Sequence, residues 1–199
     1  MSGHERTSRR HFLVTGTLAA AAYTLSGAAR AQRELSPTPA CAPGGAATPR
    51  QGEGPFFKLR SPERQTLLDP GISGRVIDIS GLVLTRSCKP VTRALLDFWQ
   101  ANAAGEYDNR GFRLRGHQYA DAEGRYRLRT IVPAEYPGRT PHIHVKVQAP
   151  GGPVLTTQLY FPDAPRNRFD SLFRRELLLR VAQAGDGLRA RFDFVLDMA

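Results

Sequence analysis

Cysteine is scarce in this chain of 199 residues, which has two cysteines and one tryptophan. So few cysteines exclude a small scaffold held together by many disulfide bonds. No hydrophobic run is long and uncharged enough for a protein that crosses a membrane several times. The composition, 41% hydrophobic and 23% charged, is that of a globular protein, and the length suits one domain or at most two small ones.

The N-terminus has the pattern of a twin-arginine signal peptide. Arg9-Arg10 precede a weakly hydrophobic stretch over residues 12–29, and Ala29-Arg30-Ala31 forms a small-x-small cleavage pattern. We predict a signal peptide over residues 1–31 and export to the periplasm or the medium, with no stable membrane insertion after cleavage. A single membrane anchor fits less well because the stretch is only weakly hydrophobic. Lipidation at Cys41 also fits less well, because the residues before this cysteine match the lipobox motif poorly.

Basic residues outnumber acidic ones by 28 to 18, which gives a formal net charge of +10. They are scattered, with no block of five or six like charges. Because exported proteins seldom meet nucleic acid, we predict no nucleic-acid partner. We interpret the charge as a source of solubility and of attraction for anionic substrates.

The rest of the chain divides into an arm and a domain. Residues 32–55 are rich in proline and glycine, which predicts an extended arm. Residues 56–199 then show short alternating runs between turns, which predict a mainly β domain, an antiparallel β-sandwich. Apolar residues at helical spacing after Asp170 predict one short helix that ends near Gly185, and residues 191–196 predict a last strand.

The two cysteines leave two interpretations open. Cys41 and Cys88 form a disulfide that pins the arm to the domain, as an oxidising compartment favours, or they are unrelated thiols. The sequence does not fix the Cα separation that a disulfide requires.

Two of the three histidines after residue 31 form His142-Ile143-His144. Residues i and i+2 of a strand share a face, so both imidazoles could reach one ion. Tyr107 and Tyr136 stand on loops where a core tyrosine is not expected.

No cysteine lies near the histidines, which argues against thiolate zinc or blue copper. Two phenolates with two imidazoles suit ferric iron, because phenol loses its proton only to a strong Lewis acid. Zinc or copper on the histidines alone is the alternative.

Several segments together resemble the intradiol ring-cleavage dioxygenases, most of all the β chains of protocatechuate 3,4-dioxygenases. They are Phe98–Tyr107, Thr130–Pro137, Arg139–His144 and Thr157–Phe161. The resemblance implies a β-sandwich that binds one Fe(III) per chain. Tyr107 and His142 would be its equatorial ligands, and Tyr136 and His144 its axial ligands.

The resemblance also implies an activity, the cleavage of a catechol-type ring between its hydroxyls by O2 to give a muconate-type diacid. Tyr136, Arg139 and Gln158 would be the catalytic residues, with Arg139 meeting negative charge on the substrate. A homo-oligomer or a partner chain that completes the pocket is compatible with the sequence. Gly138 replaces the family's aromatic residue, which opens the pocket and leaves the catechol unidentified. The alternative function is an exported β-sandwich binding module without catalysis.

We expect the double variant Arg9→Lys/Arg10→Lys to leave precursor in the cytoplasm, because the export receptor recognises the arginine pair. N-terminal sequencing and fractionation measure this, with Arg6→Lys as the matched control that still matures. A mature N-terminus near Gln32 in the double variant would contradict the assignment.

Overall fold

The structure of the protein is a computed structural model that describes residues 41–199. The predicted signal peptide and residues 32–40 of the predicted arm lie outside the described residues. Within residues 41–199, no helix is long and apolar enough to cross a membrane. Nine strands follow one another in this described part of the chain: β1 Val76–Thr85, β2 Leu95–Gln100, β3 Arg115–Tyr119, β4 Arg125–Ile131, β5 His142–Gln148, β6 Val154–Tyr160, β7 Arg180–Ala184, β8 Gly187–Arg191 and β9 Phe194–Leu196.

The strands form two sheets that pack face to face over one core, so the mainly β sandwich is confirmed. Sheet I has the order β3-β2-β5-β6 and is antiparallel throughout. Sheet II has the order β4-β1-β8-β7, with β9 also paired to β1. Period-two alternation sends one side-chain set of each strand inward. The inward set includes Ile77, Ile79, Leu96, Phe98, Leu128, Ile143, Val145 and Ala190, all at most 1% exposed.

Sheet II corrects the prediction of a purely antiparallel sandwich, because β1 runs parallel to both β8 and β9. Parallel neighbours need a long crossover between them. The chain between β1 and β8 provides it: β2 and β3 lie in sheet I, β4 returns to pair with β1 in sheet II, β5 and β6 complete sheet I, and β7 leads back into sheet II.

The helix predicted between Asp170 and Gly185 is wrong. The region contains a turn, a 3-10 helix at Arg175–Leu177 and then β7, which pairs antiparallel with β8. A second 3-10 helix covers Pro165–Arg168. The apolar spacing fits a helix locally, but pairing with β8 satisfies the backbone instead, and tertiary pairing overrides a weak local preference.

The arm has no helix or strand from Cys41 to Pro55, and it binds to the domain through its backbone. Thr48 N–H donates to Val195 O at 2.8 Å, and Gln51 N–H donates to Thr156 O at 2.8 Å on the free edge of β6. Cys41 and Cys88 form a disulfide with a Cα separation of 5.8 Å, which settles the pairing that the sequence leaves open. The arm is therefore held at both ends of its described path.

We expect no free thiol in the denatured, unreduced protein. The double variant Cys41→Ser/Cys88→Ser should lose about 4 kcal/mol of unfolding free energy, because a crosslink across 47 residues restricts the unfolded chain. Denaturant unfolding measures this, and wild type with reductant should match the variant. Two thiols per chain in the unreduced protein would contradict the disulfide.

Candidate metal centre

The alternation of β5 places two histidines on the outer face of sheet I. Ile143 points into the core and is fully buried, while His142 and His144 point outward yet are only 2% and 1% exposed, because loops and the arm cover them. Their Nε2 atoms lie 3.0 Å apart. Two imidazole nitrogens that converge in this way can share one cation.

Both histidines are neutral at neutral pH. Burial and, to a lesser extent, the Arg139 guanidinium together lower the pKa of His142 to about 4. Burial also places the pKa of His144 well below its ordinary value. His142 Nδ1 lies 2.6 Å from Thr140 O, so we assign the Nδ1 proton to this hydrogen bond. That tautomer leaves the Nε2 lone pair for a metal.

The two loop tyrosines complete a cluster of four rings. Tyr107 lies on the loop between β2 and β3, and Tyr136 lies on the loop between β4 and β5. Their ring centroids are 5.7 Å apart, with Tyr107 6.2 Å from His144 and Tyr136 5.6 Å from His142. The structure thus brings together all four predicted metal-ligating residues.

The environment of Tyr107 fits a metal ligand. Its hydroxyl is buried and has no hydrogen-bond partner within the described part of the chain. Burial raises the pKa of this phenol, and the neighbouring Tyr136 raises it further. A buried hydroxyl without a partner is costly, and a cation at the cluster would satisfy it by replacing the proton.

The donor set also bears on the identity of the metal. Among residues 41–199, no group of three or more histidine, cysteine, aspartate or glutamate side chains could hold a metal ion. A metal at the cluster would therefore bind phenol oxygens as well as the two imidazoles. Zinc prefers thiolate, imidazole and carboxylate, whereas two phenolates with two imidazoles fit a stronger Lewis acid such as Fe(III).

Arg139 lies beside the cluster and connects three polar groups. Its Nε donates to Asp170 Oδ2 at 2.9 Å, its Nη2 to Gln158 Oε1 at 2.6 Å, and its Nη1 to Tyr136 Oη at 3.4 Å. Tyr160 Oη also donates to Gln158 Oε1, at 2.8 Å. The guanidinium is therefore held in a fixed plane next to the predicted axial tyrosine.

Asp170 anchors this arrangement, whereas the sequence identifies it only as the residue before the predicted helix. Its carboxylate is 1% exposed and accepts the backbone N–H groups of Thr140 and Leu172, each at 2.9 Å. Burial alone would raise the pKa of Asp170, but these donors and Arg139 outweigh it and lower the pKa. Asp170 thus carries the negative charge that fixes Arg139.

Four residues in register cross sheet I beneath the cluster, one from each strand: Arg115, Trp99, His144 and Gln158. Trp99 stacks on His144, with centroids 4.7 Å apart and planes 7° apart. The strand ladder therefore sets the plane of His144 and places Gln158 next to it.

The irregular path of the arm continues through Phe56, one residue beyond the predicted boundary, and the arm to this point covers the cluster from the solvent side. Phe56 stacks on Tyr107 with ring centroids 4.2 Å apart. Gly54, at φ +71°, lies so close that a Cβ there would be 3.5 Å from the His144 ring. Gln158 Nε2 donates to Gly52 O at 3.0 Å. By contrast, Gly138 at the tip of the Tyr136 loop has open space around it.

Arg115 is a second residue that sequence reasoning missed. Its side chain is buried; Nε donates to Asp108 O at 3.0 Å and Nη1 to Phe56 O at 2.5 Å. Its Nη2 has no partner among residues 41–199, and its guanidinium stands 5.9 Å from the Tyr107 ring. Arg115 therefore joins the arm to the loop that carries Tyr107, a role that no local pattern reveals.

The fold and the cluster define a β-sandwich in which two histidines and two tyrosines come together on one face, and comparisons with known proteins show its family. The family model Dioxygenase_C, described as "Dioxygenase", matches residues 53–198. The β chain of protocatechuate 3,4-dioxygenase from Burkholderia cepacia is 36% identical over 62% of this chain and 65% of its own length. The chain belongs to the intradiol ring-cleavage dioxygenase family.

Solved structures show the same likeness. The dioxygenase domain of a dioxygenase carbohydrate-binding protein fusion from Streptomyces sp. SirexAA-E is 57% identical, with a TM-score of 0.76, over 77% of this chain and all of that one. The 3-chlorocatechol 1,2-dioxygenase from Rhodococcus opacus 1CP is 31% identical, with a TM-score of 0.71, over 77% of this chain and 74% of that one. The chain spans about half to two thirds of the length of the curated relatives that it matches first.

We expect Arg115→Met to lower the metal content below that of wild type and to shift the visible absorption of the protein, because the loop of Tyr107 loses its attachment to the arm. Arg64→Met is the matched control, since Arg64 donates to Arg115 O and Phe112 O without reaching Tyr107. Each variant should lose about 1–3 kcal/mol of unfolding free energy. Equal metal content and equal spectra in the two variants would contradict the role of Arg115.

Proposed function

We propose that the protein is an exported intradiol dioxygenase that binds one Fe(III) per chain through Tyr107, Tyr136, His142 and His144. It would cleave a catechol-type ring between its two hydroxyls with O2 and release a muconate-type diacid. The observation that carries this proposal is the convergence of two buried imidazoles, the buried hydroxyl of Tyr107 and the half-buried Tyr136 beside a fixed arginine. The names of the relatives support catechol, protocatechuate or hydroxyquinol as substrate classes.

The chemistry that Fe(III) supplies when bound is Lewis acidity, which favours the catechol dianion and makes its ring electron-rich enough to react with O2. The residues of the chain have separate tasks around it. Tyr136 lies half-buried at the open side, whereas the Tyr107 hydroxyl is enclosed. Tyr136 is therefore the phenol that an incoming catechol can reach, and its oxygen accepts a substrate proton as a general base.

Arg139 supplies positive charge where the substrate becomes negative. Asp170 and Gln158 hold its guanidinium before any substrate arrives, so little reorganisation is needed during the reaction. Gln158 is fixed in turn by Tyr160 and by the arm. Phe56 and Gly54 cover the opposite side of the cluster, which limits the access of water there.

Export is part of the proposal, and two observations support it. The twin-arginine pattern precedes the domain, and the disulfide Cys41–Cys88 belongs to a type of bond that persists in oxidising compartments. We propose catecholic substrates and O2 as the small-molecule partners. A homo-oligomer or a partner chain is compatible with the half-exposed side of the cluster.

We expect purified protein to contain about one iron per chain, to show a red tyrosinate absorption band, and to consume O2 with at least one of catechol, protocatechuate and hydroxyquinol. Arg139→Ala should keep the band and lower turnover by about 10²–10³-fold, because it removes one electrostatic donor. Arg139→Lys should restore part of the turnover, since it preserves the charge next to Asp170 but lacks the planar fork.

Metal analysis, absorption spectra and an oxygen electrode measure these outcomes. Arg166→Ala is the matched control, because Arg166 pairs with exposed Glu135 at 2.8 Å and should leave turnover unchanged. Tyr107→Phe should lose both band and iron. A colourless wild-type protein that binds no iron would favour the binding module without catalysis, and unchanged turnover in Arg139→Ala would refute the role of Arg139.

A further inference from the structure

The solvent face of sheet II carries an unusual number of arginines. On β4, Arg125, Arg127 and Arg129 are exposed, while Tyr126 and Leu128 between them are buried. On β8, further arginines flank the buried Ala190, and Arg180 on β7 stands opposite one of them. This face lies on the other side of the sandwich from the candidate metal centre and has no part in the proposed reaction.

The strand register arranges these arginines in two rows with β1 between them. Ser80 pairs with Arg127 on one side and with Arg191 on the other. Asp78 pairs in the same way with Arg129 and Arg189. Because the Ser80 side chain is small, β1 forms the floor of a groove, and the long arginine side chains of β4 and β8 form its two walls. The result is an open groove of about 990 Å³ along β1, which we call the arginine groove.

Acidic neighbours compensate only some of these charges. Asp78 Oδ2 lies 3.1 Å from Arg129 Nη1, and Asp121 Oδ2 lies 2.9 Å from Arg125 Nε. Arg127 and Arg189 have no carboxylate within ion-pair distance among residues 41–199. One such guanidinium stands in each wall, so both sides of the groove offer unpaired N–H donors.

The groove favours an anionic polymer over a single small anion. Guanidinium groups bind carboxylates in pairs of parallel hydrogen bonds. Along β4 the arginines repeat every second residue, about 6.6–6.8 Å apart, which suits a ligand with regularly repeated charges. The groove is open, so an extended chain can lie along it.

We propose that the arginine groove binds an acidic polysaccharide, a chain of uronic acid units whose carboxylates meet the two arginine rows. A flat anionic membrane would touch only the rims of a recessed groove. Single-stranded nucleic acid needs exposed aromatic rings for base stacking, and the one aromatic lining residue, Tyr126, is 2% exposed. Such binding would hold the protein on a polymer while the metal centre on the opposite face stays accessible.

The test measures binding of the full-length protein to polygalacturonate at low and moderate salt. We expect binding that weakens as salt rises, and no binding to fully methyl-esterified polygalacturonate, which has the same backbone without the charge. Arg127→Gln/Arg189→Gln should weaken binding about tenfold, because each exposed ionic contact is worth a few-fold. The control Arg60→Gln/Arg175→Gln removes the same charge from exposed positions outside the groove and should change binding less than about twofold.

Unfolding temperatures of both double variants show whether each one folds, and the single variant Arg127→Gln, at an exposed position, provides a second test. Equal weakening in groove and control variants would overturn the proposal, because general positive charge would then explain the binding. Tight binding of the esterified polymer, or absence of binding at low salt, would also overturn it. Tighter binding to phosphatidylglycerol vesicles or to DNA would refute the polysaccharide as the partner.

Discussion

The alternation of side chains along β5 is the constraint on which the rest of the site depends. The same short strand must present Ile143 to the core and His142 and His144 to the opposite face. A register shift of one residue would exchange these two sets, so core packing and the position of the imidazoles are fixed together. Pairing with β2 and β6 on either side then determines that Trp99 and Gln158 flank His144.

The loops around β5 depend on one buried ion pair. Asp170 is 1% and Arg139 15% exposed in their side chains, and each also bonds to other groups of the site. Removing one partner of such a pair leaves an uncompensated buried charge, which typically costs about 3–5 kcal/mol. The pair therefore links the stability of two loops, β4–β5 and β6–β7, to the orientation of the guanidinium, and a change at Asp170 would affect the metal centre through Arg139.

Sequence predicts those parts of the molecule that depend on local pattern. His142 and His144 share a face because strands alternate. Tyr136 stands out because its loop is rich in glycine and proline, and Tyr107 because it follows Gly105 beyond the end of a predicted strand. Contacts between distant segments leave no such signal. The apolar spacing after Asp170 fits a helix, but in the folded protein part of this segment forms β7 and pairs with β8. Nothing in the sequence of β1 indicates that its neighbours β8 and β9 are parallel to it. In the sequence, Arg115 looks like an ordinary arginine on a strand, and its role becomes visible only once the position of the arm is known.

The path of the arm has a consequence for the order of folding. Thr48 exchanges hydrogen bonds with Val195, 147 residues further along the chain. The part of the arm around Thr48, although made early in synthesis, therefore cannot complete its docking until the last strand has emerged and joined the sheet. Contacts of such long sequence separation form slowly because loop closure must precede them. The N-terminal part of the arm around Thr48 is thus one of the last parts to dock, whereas Gly52, Gly54 and Phe56 contact sheet I and the Tyr107 loop, which are made earlier.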